Sequence, residues 1–271
     1  METDKIGIDA GGTLLKIAYE EGGRIRYRKT SNNEAKELLN WLKLIAPQAE
    51  PLVTGGRAMW VKKNFFPNAS LVSEFEAVCR GAEILYRKGE TEATGSFLLV
   101  NIGTGTSMFL AGDGNCHRAG GSGLGGGALI GLGGKLAGTT DYAELVKMAA
   151  AGARENADLL VKDIYGDGDE PLSGNMTAAN FAKSVSAGKE DLVAALMNMI
   201  AETLVLLSTQ IASAGKVENV VYAGSTLAGN APLKEMLSAY TSMFGLNPSF
   251  LENGEYCGAL GALVSEQDLK A

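Results

Sequence analysis

The sequence predicts an α/β protein of two lobes, each built on a βββαβα unit, facing each other across a central cleft. Three observations point to it. Short alternating apolar segments surround a glycine turn at the N-terminus, and a second strand, glycine turn and strand recur near residue 100. Each set is followed by helical periodicity and a hydrophobic return strand. At 271 residues the chain suits one large domain or two lobes sharing a cleft.

The first three strands are read from KIGID, LLKIAYE and RIRYR, whose apolar residues alternate. Between the first two lies Asp9-Ala10-Gly11-Gly12-Thr13, where glycines permit a tight turn and leave its amides uncovered. A helix follows over NNEAKELLNWLKLI, then a buried strand PLVTGG. SFLLVNIGTGTSMFL repeats strand, turn and strand, with Gly103-Thr104-Gly105-Thr106 as the turn, so the chain reads as duplicated. HRAGGSGLGGGALIGLGGKL reads as a mobile glycine loop running into a helix, and Asp141 to Ala151 as the next helix. Lys189 to Ala214 keeps helical apolar spacing over more than six turns and predicts a long buried helix. The strand NVVYAGSTL, the helix PLKEMLSAYTSMFG, the short strand PSFLE and a last helix from near Gly254 complete the second unit. A lobe boundary is placed near residue 95, dividing the chain into 1–95 and 96–271, with the last helix returning to the first lobe.

Charge and composition exclude several function classes. The formal charge of -7 has the wrong sign for phosphate-backbone binding, so nucleic acid is not an expected partner. No basic leader is evident and no apolar run is expected to reach the ~20 residues of a membrane span, so a cytoplasmic location is expected. Cys79, Cys116 and Cys257 are odd in number and widely spaced, predicting neither a disulfide framework nor a metal site, and hence a reducing compartment. His117 is the single histidine, which rules out a multi-histidine metal centre. Chemistry must rest on carboxylates, Lys, Arg and backbone amides.

Two glycine turns at matching points of a repeat offer amide N–H groups and Thr hydroxyls to one polyphosphate. There is no GxxxxGK[ST] signature, so the phosphate site is of another kind. Asp9, beside the first turn, can orient Mg2+ or its waters, and Lys16 either reaches a phosphate or lies solvated on the polar face of its strand. Glu74 and Glu76 share a face if extended and diverge if helical. Either is a candidate general base, although spacing alone favours two ordinary surface acids. Arg118 is a candidate for neutralising a transferring phosphoryl group or binding an anionic substrate group, although most lone arginines do neither, and His117 beside it reads as a structural or surface residue.

These residues resemble a known family. IGIDAGGTLLKIAY, TGG at 54–56, EFEA at 74–77, NIGTGTS at 101–107, RAGGSGLGGGALIGLG at 118–133, MTAANF at 176–181, VYAGS at 221–225 and ENGEYCGALGAL at 252–263 are similar, in order, to the bacterial type II pantothenate kinases. These are eukaryotic-like members of the acetate and sugar kinase, Hsp70 and actin superfamily. The resemblance implies an actin-like ATPase fold of duplicated ribonuclease H-like lobes and ATP-dependent phosphorylation of pantothenate to 4'-phosphopantothenate, the first step of coenzyme A synthesis. It implies ATP and phosphate binding by Asp9, Gly11, Gly12, Thr13 and Lys16, by Gly103, Thr104, Gly105 and Thr106, and by Gly121, Gly125, Gly126, Gly127 and Ser225. Glu74 matches the catalytic base and Arg118 the arginine supporting transfer. The pantothenate pocket takes Glu74, Arg118 and Gly121, with Thr177 and Tyr240 reaching across a homodimer interface that contains the long helix. Mg2+ is expected at Asp9, through water.

Two other readings compete. A small sugar or N-acetylglucosamine kinase of the same superfamily would share Asp9 and both turns but use another acceptor carboxylate. A nucleotide-switched interaction protein of the actin or Hsp70 kind would use ATP to change lobe angle.

Overall fold

The structure is a computed structural model that describes residues 5–89, 95–112, 114–165 and 174–264. The first half runs β1 (Lys5–Ala10), β2 (Leu14–Glu21), β3 (Arg24–Ser31), α1 (Ala35–Ile45), β4 (Glu50–Thr54), α2 (Ala58–Asn64), β5 (Ser70–Leu71) and α3 (Glu74–Gly89). The second begins with β6 (Phe97–Ile102), β7 (Thr106–Gly112), β8 (Asn115–Ser122), α4 (Gly126–Leu136), α5 (Tyr142–Ala151), β9 (Leu159–Leu160) and α6 (Val161–Tyr165). It ends with β10 (Thr177–Ala179), α7 (Lys189–Gly215), β11 (Asn219–Ala223), α8 (Ala231–Met243), β12 (Asn247–Phe250) and α9 (Cys257–Leu263).

One five-stranded sheet has the order β3-β2-β1-β4-β5 and the other, read from its far edge, β8-β7-β6-β11-β12. Both join three antiparallel strands to two parallel ones, so the repeat expected from two glycine turns is a repeat of topology. The central strands lack the alternation of one-sided sheets because both faces are covered. Leu98, Val100 and Ile102 of β6 meet the helices of the second lobe, whereas Phe97 and Leu99 of the same strand pack with α3 residues Val78, Cys79, Ala82 and Tyr86.

Helices α3 and α9 lie between the sheets and cross at backbone contact. A Cβ at Gly81 would sit 2.0 Å from the Cys257 carbonyl oxygen, and one at Gly261 would sit 1.8 Å from that of Ala77. On its other side α9 meets β1, where a Cβ at Gly7 would fall 2.0 Å from the Ala259 carbonyl oxygen. The last helix therefore packs on the first sheet, while α3 lays its apolar face on the second.

Four features depart from the sequence reading. Residues 115–122 form the strand β8, not a loop: Gly120 is there because Ile211 of α7 approaches it, leaving 2.9 Å between Ile211 Cδ1 and a Cβ at that position. The short elements α2, β5, β9 and β10 carry too few residues for a periodic signal. Helix α7 is long and apolar enough by length and composition to cross a membrane, with mean hydropathy 1.8 in its most apolar window, contrary to expectation; 61% of that window is buried inside the molecule. Finally, Cys79 and Cys116 form a disulfide across 37 positions, where no pairing was expected. The lobe boundary placed near residue 95 directly follows residues 90–94, which lie outside the described residues.

Candidate active site

The two glycine turns meet. Thr13 Oγ1 lies 2.9 Å from Thr104 Oγ1, so equivalent bends of the two repeats touch across the cleft. Each turn is braced from behind through its carbonyls. In the first, the Gly11 amide donates to the Leu14 carbonyl at 3.1 Å, and Asn32 Nδ2 donates to the carbonyls of Gly12 at 2.7 Å and Gly11 at 3.3 Å. In the second, the Gly103 carbonyl accepts from Thr226 Oγ1 at 2.8 Å and from the Gly126 amide at 2.9 Å, and the Thr104 carbonyl accepts from the Gly127 amide at 2.8 Å.

A cleft of about 580 Å³ opens at this junction and brings together Asp9, Gly11, Gly12, Thr13, Lys16, Glu74, Gly103, Thr104, Gly105, Thr106, Arg118, Gly121 and Ser225. Gly125, Gly126 and Gly127 stand behind its wall, with the Gly126 and Gly127 amides committed to the second turn. Lining residues the sequence reading did not single out include Asn101, Ser107 and Ser122. Asn101 was legible: it stands two positions before the Gly103 turn, as Asp9 stands two before Gly11, and aligning the repeats pairs them.

Asp9 faces Lys16 because the two are direct partners in the β1–β2 ladder, and Lys16 Nζ lies 3.5 Å from Asp9 Oδ2. Two glycines leave room for that carboxylate. A Cβ at Gly55, whose φ is +92°, would lie 2.7 Å from Asp9 Oδ1, and one at Gly258 2.8 Å from Oδ2. Burial raises the Asp9 pKa, while the charge and hydrogen bond of Lys16 oppose the rise.

Glu74 is the first residue of α3, so Glu76 points about 200° away around the helix and does not line the cleft. Although Glu74 is exposed to the cleft, the surrounding protein removes enough water to raise its pKa. The negative charge of Asp9 adds to the rise and Lys16 subtracts from it. Arg118, on β8, rests its guanidinium 5.9 Å from the centre of the Phe75 ring, which packs edge-on against Phe109. Gly121 makes space for this arginine, since a Cβ there would lie 2.5 Å from Arg118 Nη2.

Thr177 and Tyr240 lie elsewhere in this chain, joined by Asn198. Tyr240 donates its hydroxyl hydrogen to Asn198 Oδ1 at 2.5 Å, and Asn198 Nδ2 donates to Thr177 Oγ1 at 3.2 Å. Arg154 Nη1 also donates to Thr177 Oγ1, at 2.9 Å, and Thr177 donates to Glu202 Oε1 at 2.6 Å. Asn198 and Asp158 are fully buried, and burial pushes the Tyr240 hydroxyl up to about 12. Among the described residues no group of three or more His, Cys, Asp or Glu side chains is arranged to hold a metal by itself.

Residues 52–265 match the Fumble family. The type II pantothenate kinase of Oceanobacillus iheyensis is 39% identical over 264 residues, covering 96% of this chain and 99% of the relative. That of Bacillus cereus (strain ATCC 10987) is 34% identical, covering 98% and 99%. Among solved structures, the activator of 2-hydroxyisocaproyl-CoA dehydratase from Clostridium difficile with bound ADPNP superposes with a TM-score of 0.64 at 18% identity, covering 96% and 92% of the two chains. The ROK hexokinase from Thermus thermophilus gives 0.58 at 15%, covering 98% of each. These two share the fold, the two-lobed actin-like architecture. A matched family model over most of the chain, and relatives of that identity along nearly its whole length, establish that this chain belongs to the type II pantothenate kinase family.

Proposed function

We propose that the protein transfers the terminal phosphoryl group of ATP to the primary hydroxyl of pantothenate, forming 4'-phosphopantothenate for coenzyme A synthesis. One observation carries the reading: the paired turns, Asp9, Glu74 and Arg118 line a single cleft. Phosphoryl transfer depends mainly on positioning and on neutralising charge, and these groups divide that work. The amides and hydroxyls of the turns hold the phosphates, and Arg118 offsets negative charge on the transferring group. Glu74 takes the acceptor's proton, and Ser225 leads toward the adenosine end. Asp9, a single carboxylate beside the first turn, would suit a hard cation held largely by water and phosphate oxygens. Asp9 would hold Mg2+, which would neutralise charge on the phosphates, while Lys16 holds Asp9 in place.

The same reading makes the enzyme a cytoplasmic homodimer whose lobes divide near residue 95. Half-exposed Leu206 on α7, and the absence of Thr177 and Tyr240 from this chain's own cleft lining, support an interface that delivers those two residues to a partner's acceptor.

Pure protein with Mg-ATP should release ADP with pantothenate and give only background with N-acetylglucosamine or no acceptor. A sugar preference, or release independent of any acceptor, would overturn the reading. The raised Glu74 pKa sets a second expectation. A base works as its carboxylate, so a higher pKa protonates it earlier on acidification. The acid limb of the kcat/KM profile for pantothenate should therefore inflect above the ordinary value of 4.5. An inflection at or below that value would assign the limb to another group.

A further inference from the structure

The disulfide joins the two elements that carry the proposed base and arginine. Phe75 and Cys79 are four positions apart on α3, a rise of about 6 Å, and Arg118 and Cys116 are two apart on β8, a rise of about 6.6 Å. The helix face and strand face thus run in step. Phe75 meets Arg118 and Cys79 meets Cys116, whose Cα atoms are 6.2 Å apart, within the range that a disulfide spans. Cys79 is buried against the second sheet, and Cys116 is exposed on its edge strand. The third cysteine, Cys257, is buried between the lobes with its thiol pushed up to about 12, and does not compete for the exchange.

We propose that Cys79 and Cys116 are a reversible thiol–disulfide site that reacts with low-molecular-weight disulfides, and that its oxidation slows turnover by tying the helix of Glu74 to the strand of Arg118. The pairing does not depend on the roles given to those residues; the effect on turnover rests on the cleft being the catalytic site. The thiolate of exposed Cys116 attacks one sulfur of a disulfide RSSR, forming Cys116–S–SR and expelling RS⁻. The Cys79 thiolate then attacks Cys116 Sγ, breaking the S–SR bond and expelling a second RS⁻. The protein loses two protons and two electrons, and RSSR becomes two RSH. Protein disulfides in reducing compartments are usually of this transient kind.

The brake follows from the closed turns. With Thr13 and Thr104 in hydrogen-bond contact, a triphosphate held between the two turns must part them. Parting them moves the first sheet, with α9 on it, away from the second, and α3 sits between the two. A covalent tie from α3 to β8 removes the freedom of α3 to adjust.

The test equilibrates the purified enzyme in reduced and oxidised glutathione mixtures, reads the link by alkylation and mass spectrometry, and measures pantothenate phosphorylation in parallel. The expected result is loss of two hydrogens per chain on a peptide pair containing Cys79 and Cys116, with kcat falling severalfold and returning on reduction. Cys79→Ser and Cys116→Ser should hold the reduced wild-type rate in both mixtures. Glutathione remaining on Cys116, failure of the link to form, or a fully linked enzyme with unchanged kcat would each overturn the proposal. An enzyme inactive when reduced, yet linking normally, would instead sink the kinase reading and with it the effect on turnover.

Discussion

Glu74→Gln is expected to lower kcat for pantothenate phosphorylation by about 10²- to 10⁴-fold while ATP still binds. The substitution keeps the side chain's size and replaces the basic carboxylate that takes the proton from the acceptor hydroxyl with a neutral, non-basic amide. The nucleotide is held by other groups, the two turns and Asp9, so a calorimetric Kd for ATP should change little. Folding offers an independent control. Burial and Asp9 raise the Glu74 pKa in the folded state. A carboxyl raised in this way contributes stability that is fully present below its unfolded pKa and is lost as pH rises through the folded pKa. At neutral pH the ionised Glu74 is therefore unfavourable to folding, and the Gln variant should unfold at a temperature no lower than wild type. A catalytic loss accompanied by a lower Tm would point to damage of the helix start. Glu76→Gln, on a face of α3 that does not line the cleft, should retain near wild-type kcat, and equal losses in the two variants would remove the assignment of the base.

How far the sequence goes can be seen at these same residues. The β1 and β2 strands and both glycine turns follow from local signals, alternation and turn chemistry, which act over a few residues and survive without tertiary context. Asp9 opposite Lys16 follows from the same alternation once the strands pair. Glu74 against Glu76 did not follow, because the choice depends on a helix starting at residue 74, after the short strand β5 whose two residues carry no period. The family resemblance distinguished them where spacing could not. Gly120 and Gly121 read as loop residues, yet they lie in a strand, where Ile211 of α7 closes on Gly120, and the side chain of Arg118 on the same strand and the Thr106 carbonyl of β7 close on Gly121. Tertiary approach also explains the Cys79–Cys116 pair, which needs a helix docked on a strand from the other repeat. Thr177 and Tyr240 meet through Asn198 and Glu202 of α7, a third element, and no pattern within a window of sequence links them.

Gly261→Ala should be among the most damaging single methyl additions in the protein. Within a helix this change ordinarily stabilises by about 0.5–1 kcal/mol, because Ala loses less backbone freedom on folding. Here the new Cβ would sit 1.8 Å from the Ala77 carbonyl oxygen, 2.7 Å from its carbon and 2.8 Å from the Gly81 nitrogen. All three are backbone atoms of α3, so no rotamer change relieves the clash, and α3 and α9 must move apart. Overpacking of a core costs about 1–3 kcal/mol, and a backbone collision belongs at the upper end or beyond it. The clash outweighs the propensity gain, for a net loss of about 2–3 kcal/mol. For a chain of this size that lowers Tm by roughly 4–12 °C. Gly131→Ala on α4, where nothing lies within 4 Å of the added carbon, is the matched control and should leave Tm unchanged or raise it. The loss reaches the chemistry as well, since α9 carries Gly258 against the Asp9 carboxylate and α3 begins with Glu74. Separating the helices moves both carboxylates relative to the turns, so kcat per folded molecule should fall along with Tm. A Gly261→Ala enzyme with wild-type Tm would mean that the two helices do not cross at backbone contact, and one that lost stability but kept kcat would mean that the crossing does not position Asp9 and Glu74.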